Sequence, residues 1–144
     1  MGCSAPRCAT WADLEPRFED PQSQEKSIST VSYIVHFAIN DGKLDEFKSM
    51  TAGYISAVKQ NEPDTLGYQW FVSEEGTRCL LQETFTSSEA MLTHLGNVGP
   101  SLPELIAVAP ITRLEVLGTV SDAAREALAT LNAVHFPHLG GFNR

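Results

Sequence analysis

The stretch Gly67–Leu95, GYQWFVSEEGTRCLLQETFTSSEAMLTHL, decides the fold, because it reads as strand, turn, strand and helix with a Glu and a His in its second half. Leu66 to Val72 is rich in aromatic and β-branched residues, Glu74-Glu75-Gly76 has turn composition, and Thr77 to Phe85 is a second apolar run. The two runs therefore pair as a β-hairpin. Thr86-Ser87-Ser88-Glu89 matches a capping box, in which the Thr86 hydroxyl and the Glu89 carboxylate each satisfy a backbone N–H that the helix leaves without a partner. In the helix that follows, Met91, His94, Leu95 and Val98 recur at spacings of three and four, which puts His94 on the buried stripe.

Upstream, Val31 to Ile39 alternates Val31, Tyr33, Val35, Phe37 and Ile39 against Ser32, Ile34, His36 and Ala38, the pattern of a strand with one strongly apolar face. Asn40-Asp41-Gly42 turns the chain into a helix with Asp45 and Glu46 in its first turn, where carboxylates suit the dipole. Leu44, Phe47, Thr51, Tyr54, Ile55 and Val58 keep helical spacing, and Pro63 stops the helix. Downstream, Gly99-Pro100 and Pro103 interrupt the chain before a short helical turn at Leu105–Val108. Ile111 to Val120 reads as a fourth strand, Ser121 as the cap of a helix over Asp122–Leu131, and Ala133 to Phe136 as a last strand before the Gly140-Gly141 tail. The fold class is α+β. The order β-α-β-β-α-β is ferredoxin-like, an antiparallel sheet with two helices on one face. The other face carries Ile34 and His36, so a second copy of the chain is expected to cover it, making a homodimer. Residues 1–30, with Pro6, Pro16, Pro21 and the polar run Gln22–Ser27, have the composition of a flexible N-terminal segment, which leaves 31–144 as the folded domain.

Hairpin register decides which side chains share a face. A three-residue loop Glu74-Glu75-Gly76, with Gly76 left-handed, pairs Ser73 with Thr77 and Gln69 with Leu81, so that Gln69, Phe71, Cys79, Leu81, Glu83 and Phe85 share a face. A two-residue loop instead places Glu83 opposite Tyr68 and beside Trp70. The first is preferred, because Gly at the third loop position is what that turn needs. It leaves Tyr68 and Trp70 as polar-tipped aromatics suited to an interface.

The chain has 144 residues, one domain's worth, with a net charge of −8 and a pI near 4.9. That balance argues against nucleic acid or an anionic membrane surface as partner, since each calls for a basic patch. No apolar run approaches the ~20 residues of a membrane span. Cys3, Cys8 and Cys79 are an odd number without metal-ligand spacing, which points to a reduced, cytoplasmic protein. His135 and His138 flank Pro137, which forbids the helix that would align them, so no metal site is expected. Neither a phosphate loop nor a nucleophile elbow nor a dinucleotide fingerprint is present, and no cofactor is expected.

Leu66-Gly67-Tyr68-Gln69-Trp70-Phe71, Glu83-Thr84-Phe85, Ser88-Glu89-Ala90 and His94-Leu95 together resemble the antibiotic biosynthesis monooxygenase family of dimeric α/β-barrel proteins, over about Val31 to Val120. The resemblance implies a homodimer whose two sheets form a barrel, with a pocket between each sheet and its own helices. It implies, for some members, cofactor-free oxygenation of polyketide anthrones or quinols, and for others haem degradation. The Asn that oxygenase members carry on the first strand corresponds here to Val35, and their Trp at the end of the third strand to Phe85.

Glu83 is the sharpest candidate for chemistry. A carboxylate on an otherwise apolar strand face is costly unless paired or protonated, and burial raises its pKa toward that of a useful base; a salt bridge to Arg113 or Arg78 is the structural alternative. His94 is the second catalytic candidate, as proton shuttle or substrate donor, with a satisfied core histidine as its alternative. Tyr33, Phe37, Phe71 and Phe85, with Gln69, are the candidate substrate-binding set, an aromatic pocket for a flat molecule. The expected activity is a cofactor-independent monooxygenase on a small aromatic or polyketide-like substrate, with dioxygen as co-substrate. A cofactor-free decarboxylase, cyclase or isomerase, or a non-catalytic small-molecule-binding protein, are the alternatives.

Overall fold

Alternation carries the first strand into place. In β1 (Val31–Ala38) the side chains of Val31, Tyr33, Val35 and Phe37 are buried, and those between them only half so. The computed structural model of the chain describes residues 30–142 and 144. The reading of residues 1–30 as a flexible segment, like Cys3 and Cys8, lies outside them save for Thr30. After β1 come α1 (Leu44–Asn61), β2 (Thr65–Val72), β3 (Arg78–Phe85), α2 (Ser88–Val98), α3 (Leu102–Val108), β4 (Ile111–Leu117), α4 (Asp122–Ala129) and β5 (Val134–Phe136). The sheet order is β2-β3-β1-β4-β5. The expected antiparallel sheet holds for the first four strands, but β5 lies parallel to β4 because the chain returns through α4 before pairing, so the sheet is mixed.

The hairpin register differs from the preferred one. Tyr68 stands opposite Glu83, Gln69 opposite Gln82 and Trp70 opposite Leu81. Gly76 is left-handed as expected, with φ +71, and a Cβ there would meet Leu44 at 2.8 Å. What moves the register is Ser73. Its hydroxyl accepts the N–H groups of Thr77 at 3.3 Å and Arg78 at 3.2 Å, while its own N–H donates to the Arg78 carbonyl. Thr77 thus joins the loop instead of the ladder, and every β2 side chain changes face relative to β3.

Helix boundaries follow local chemistry. The N-cap of α2 is Ser87, not Thr86: its hydroxyl accepts from Ala90 N at 3.2 Å, and the Ser88 hydroxyl accepts from Ser121 N at 2.9 Å. Gly99-Pro100 ends α2 at Val98 and a separate short helix follows, as expected, but both prolines lie within helical turns. Each sits at a first-turn position, of a short 3₁₀ turn (Gly99–Ser101) and of α3, where no backbone donor is needed. Ser121 caps α4 as expected. Along α1, Phe47, Thr51 and Val58 are buried and Ile55, expected on the same stripe, is exposed. The core lies between the sheet and these helices. Phe47, Phe85, Met91, Val116 and Leu128 are fully buried there, and each contributes on the order of 1.5–3 kcal/mol by leaving water.

Candidate functional site

Elements distant in sequence bring three ionisable side chains into one line beneath the sheet. β3 delivers Glu83, which stands between Tyr33 of β1 and Tyr68 of β2 across the ladders. α2 delivers His94, buried on the stripe its spacing predicted. The end of α1 delivers Glu62, which sequence reasoning did not single out. His94 Nδ1 lies 2.7 Å from Glu62 Oε2, and His94 Nε2 lies 3.0 Å from Glu83 Oε2. Glu62 is further held by Asn97 Nδ2, donating to Oε1 at 3.0 Å, and by the Thr65 hydroxyl, donating to Oε2 at 2.9 Å. Glu83 Oε2, by contrast, is buried with the His94 Nε2 contact as its one close charged neighbour among the described residues. The two carboxylates take opposite ring nitrogens, so their oxygens diverge and do not converge on a common ion. Among the described residues no group of three His, Cys, Asp or Glu is placed to hold a metal.

The electrostatics separate the two acids. Burial pushes the Glu83 carboxyl above its ordinary range, and His94 offsets this only in part. Glu62 also suffers burial, but the Asn97, His94 and Thr65 hydrogen bonds outweigh it and hold the carboxyl below its ordinary range. Burial alone would depress the His94 imidazole, yet the two carboxylates on its nitrogens hold it above the usual value. Glu62 is therefore held toward the anion, while Glu83 and His94, each shifted upward, face each other at 3.0 Å. Desolvation, then the charge of Glu83, raises the Tyr33 phenol far above its ordinary range, and Tyr68 is raised by the same two causes, so both hydroxyls stay protonated donors.

A narrow cavity opens beside this line between the sheet and the helices, with about 540 Å3 of space free of protein atoms, its mouth included. Glu83, His94, Tyr33, Tyr68 and Trp70 form one wall, and Tyr54, Leu102, Leu105, Leu128 and Leu131 stand among the rest of the lining. Trp70 Nε1 is buried without a hydrogen-bond partner.

Of the side chains the sequence pointed to, Glu83, His94, Tyr33 and Phe37 line the cavity, and Phe85 lies fully buried against Tyr33 and His94, with ring centroids 5.3 Å and 5.4 Å away. Gln69 and Phe71 do not. The register puts them on the open face of the sheet, where both are exposed, and brings Tyr68 and Trp70, assigned in sequence to an interface, into the cavity instead. The alternative partners of Glu83 are engaged otherwise: Arg113 pairs with Glu115 on the open face at 2.6 Å, and Arg78 is exposed at the far end of β3. Glu62 did carry a sequence signal. It is the residue before the helix-stopping Pro63, and a carboxylate at a helix C-terminus opposes the dipole unless something nearby compensates it.

Against this geometry, residues 30–99 match the model of the antibiotic biosynthesis monooxygenase family. Over those residues the chain is similar to an antibiotic biosynthesis monooxygenase domain. MupZ from Pseudomonas fluorescens is 28% identical, with a TM-score of 0.74 over 81% of this chain and 95% of that one. A Caulobacter crescentus CB15 protein classed with the antibiotic biosynthesis monooxygenases is 20% identical, with a TM-score of 0.57 over 69% of this chain and 98% of its own. SnoaB of Streptomyces nogalater, a cofactor-independent oxygenase whose structure is that of a point mutant, is 15% identical, with a TM-score of 0.51 over 65% of this chain and 94% of its own. These last two show the shared fold alone. No curated protein sequence matches the chain.

The directions of these three shifts give the sign of the pH dependence of stability. A raised His94 binds its proton more tightly when folded, so its contribution is complete below its unfolded value of 6.5 and is lost as pH rises through the folded one. A raised Glu83 acts in the same sense, its contribution being lost as pH rises from 4.5 through its folded value. A lowered Glu62 contributes above 4.5 and loses that contribution as pH falls through its folded value. Melting temperature measured from pH 3 to 9 is expected to peak on the mildly acidic side, about pH 4.5–6.5, and to fall toward pH 9. His94→Gln should be less stable throughout, with a weaker fall above pH 6.5.

Proposed function

We propose that this chain is a cofactor-independent monooxygenase that uses Glu83, with His94 as its proton partner, to deprotonate a small aromatic or polyketide-like substrate. The observation that supports this reading most is the buried Glu83–His94 pair, 3.0 Å apart at the wall of an apolar cavity. A base with a raised pKa, kept from water, works near neutrality. Glu83 would remove a phenolic proton or one from a carbon beside a carbonyl. The resulting anion would give electrons to dioxygen, and the peroxide formed on carbon would lose water, leaving a new carbonyl: one CH2 and O2 become C=O and H2O. Tyr33 and Tyr68, held protonated, would donate to the substrate oxygen as negative charge gathers there. Trp70 and Phe37, stacked with centroids 5.7 Å apart, offer a flat wall for an aromatic ring.

The same deprotonation without oxygen would give an isomerase, cyclase or decarboxylase. This second reading draws on the same Glu83 carboxylate, which would return the proton at another atom of the substrate. Oxygen consumption separates the two. The protein is incubated with a panel of anthrones, quinols and β-keto acids under air in an oxygen-electrode cell, with product followed by mass. Uptake of one O2 per product supports the oxygenase, and turnover with no uptake selects the second reading.

We further propose that the working form is a homodimer in the cytoplasm, closed on the open sheet face. That face presents Leu80 and Phe71, 41% and 53% exposed, around the His36–Glu115–Arg113 cluster, an apolar and charged mixture suited to a second copy. Light scattering at micromolar concentration is expected to give twice 15.7 kDa. A mass of one chain would leave the face without its partner and sink the dimer.

A further inference from the structure

We propose that Glu62 is the positioning residue of this site: it fixes His94 as the Nδ1–H tautomer, so that Nε2 is the ring nitrogen left to exchange a proton with Glu83. The inference rests on the reading of Glu83 and His94 as the acid–base pair and adds what orients them. Its basis is geometric. Glu62 is the C-cap of α1, its N–H bound to the Val58 carbonyl at 2.9 Å and its own carbonyl accepting from Thr65 N at 3.1 Å, so the backbone that aims the carboxylate is fixed at both ends. Pro63 then prevents the helix from running on.

The side chain is fixed as firmly. Asn97 occupies one oxygen and Thr65 the other, and the remaining direction on Oε2 points 2.7 Å away at His94 Nδ1. An anion loaded with donors takes a hydrogen from the ring and gives none back, which leaves Nδ1 protonated. His94 faces Glu62 from α1, Glu83 from β3 and the Tyr68 ring from β2, with centroids 5.7 Å apart, while Tyr33 of β1 stands opposite Glu83; no cation among the described residues pairs with the ring. A carboxylate placed against the dipole of its own helix is poorly explained by helix stability. It is well explained by a ring that must be held in one orientation.

The test is 15N NMR of the His94 imidazole in the full chain. The native protein should show Nδ1 protonated and Nε2 in exchange. Glu62→Gln removes the anion and can turn its NH2 toward Nδ1, so the ring should move to the Nε2–H tautomer and its titration midpoint fall by about one unit or more. Asn97→Ala, which keeps the carboxylate but loosens it, should lower the midpoint less and in the same direction. With a substrate in hand, Glu62→Gln should lower kcat tenfold or more with KM unchanged, and shift the pH profile toward acid. An unchanged tautomer and midpoint in Glu62→Gln overturns the proposal. Should that variant not fold, an unchanged midpoint in Asn97→Ala overturns it equally. The NMR arm needs no substrate: if Glu83→Gln keeps full activity while Glu62→Gln still switches the tautomer, the acid–base reading fails and the positioning stands.

Discussion

Glu83→Gln is expected to lower turnover by about 10²–10⁴-fold, the usual contribution of a positioned acid–base group, while leaving folding and substrate affinity almost unchanged. The two side chains have nearly the same shape, and the Gln amide can donate to His94 Nε2, so the wall of the cavity is conserved. Only proton acceptance is lost. Because the native fold makes ionised Glu83 unfavourable by burying it, the variant should melt no lower than the parent, and its advantage should grow as pH rises above 4.5, where the unfolded carboxyl ionises. That combination distinguishes a catalytic carboxylate from a structural one, since loss of a needed salt bridge would cost stability. His94→Gln should cost less activity if the imidazole only receives the proton that Glu83 has taken. Full activity in Glu83→Gln, or an NMR titration of Glu83 at or below the ordinary value, would falsify the assignment. Activity lost only in His94→Gln would move the base to the imidazole.

The elements were legible because their signals are local. Alternation in Val31–Ala38, the 3.6-residue stripe through Met91 and His94, and the Ser121 cap each need only a few neighbouring residues to be read. Burial of Glu83 and His94 followed from the same patterns. Their partnership could not be read from sequence, because it depends on two ladders and on the docking of α2 against the sheet. The hairpin register shows how small the deciding term is. One hydroxyl, Ser73, draws Thr77 out of the ladder, and with that Gln69 and Phe71 exchange places with Tyr68 and Trp70. Periodicity along a single strand does not register a side chain that bonds across a loop. Glu62 was missed for a related reason: its donors come from α2 and the start of β2, and in sequence only its awkward place before Pro63 marked it.

Phe85→Ala is expected to cost about 3–5 kcal/mol of folding stability, the range for removing a fully buried aromatic ring. Total stabilities of single domains are about 5–15 kcal/mol, so the variant should populate the unfolded state measurably in dilute urea. The size of the loss follows from where the ring sits. Phe85 closes β3 opposite Val31 and Thr65, has no exposed surface, and lies between the rings of Tyr33 and His94. Those neighbours belong to two strands and a helix that pack against one another, so they cannot collapse into the space without breaking the ladder or moving α2. The same void would stand beside the acid–base pair. Water admitted there would relieve the burial that raises Glu83, so its carboxyl should titrate closer to its ordinary value even where the variant stays folded. Phe85→Leu, which keeps most of the volume, should lose far less and leave Glu83 raised. Leu80→Ala on the open face serves as the reference: at concentrations too low for dimerisation it should cost little, because that side chain is already 41% exposed. Urea denaturation followed by circular dichroism measures all three, and a Phe85→Ala loss no greater than that of Leu80→Ala would mean that the ring does not carry the packing around the site.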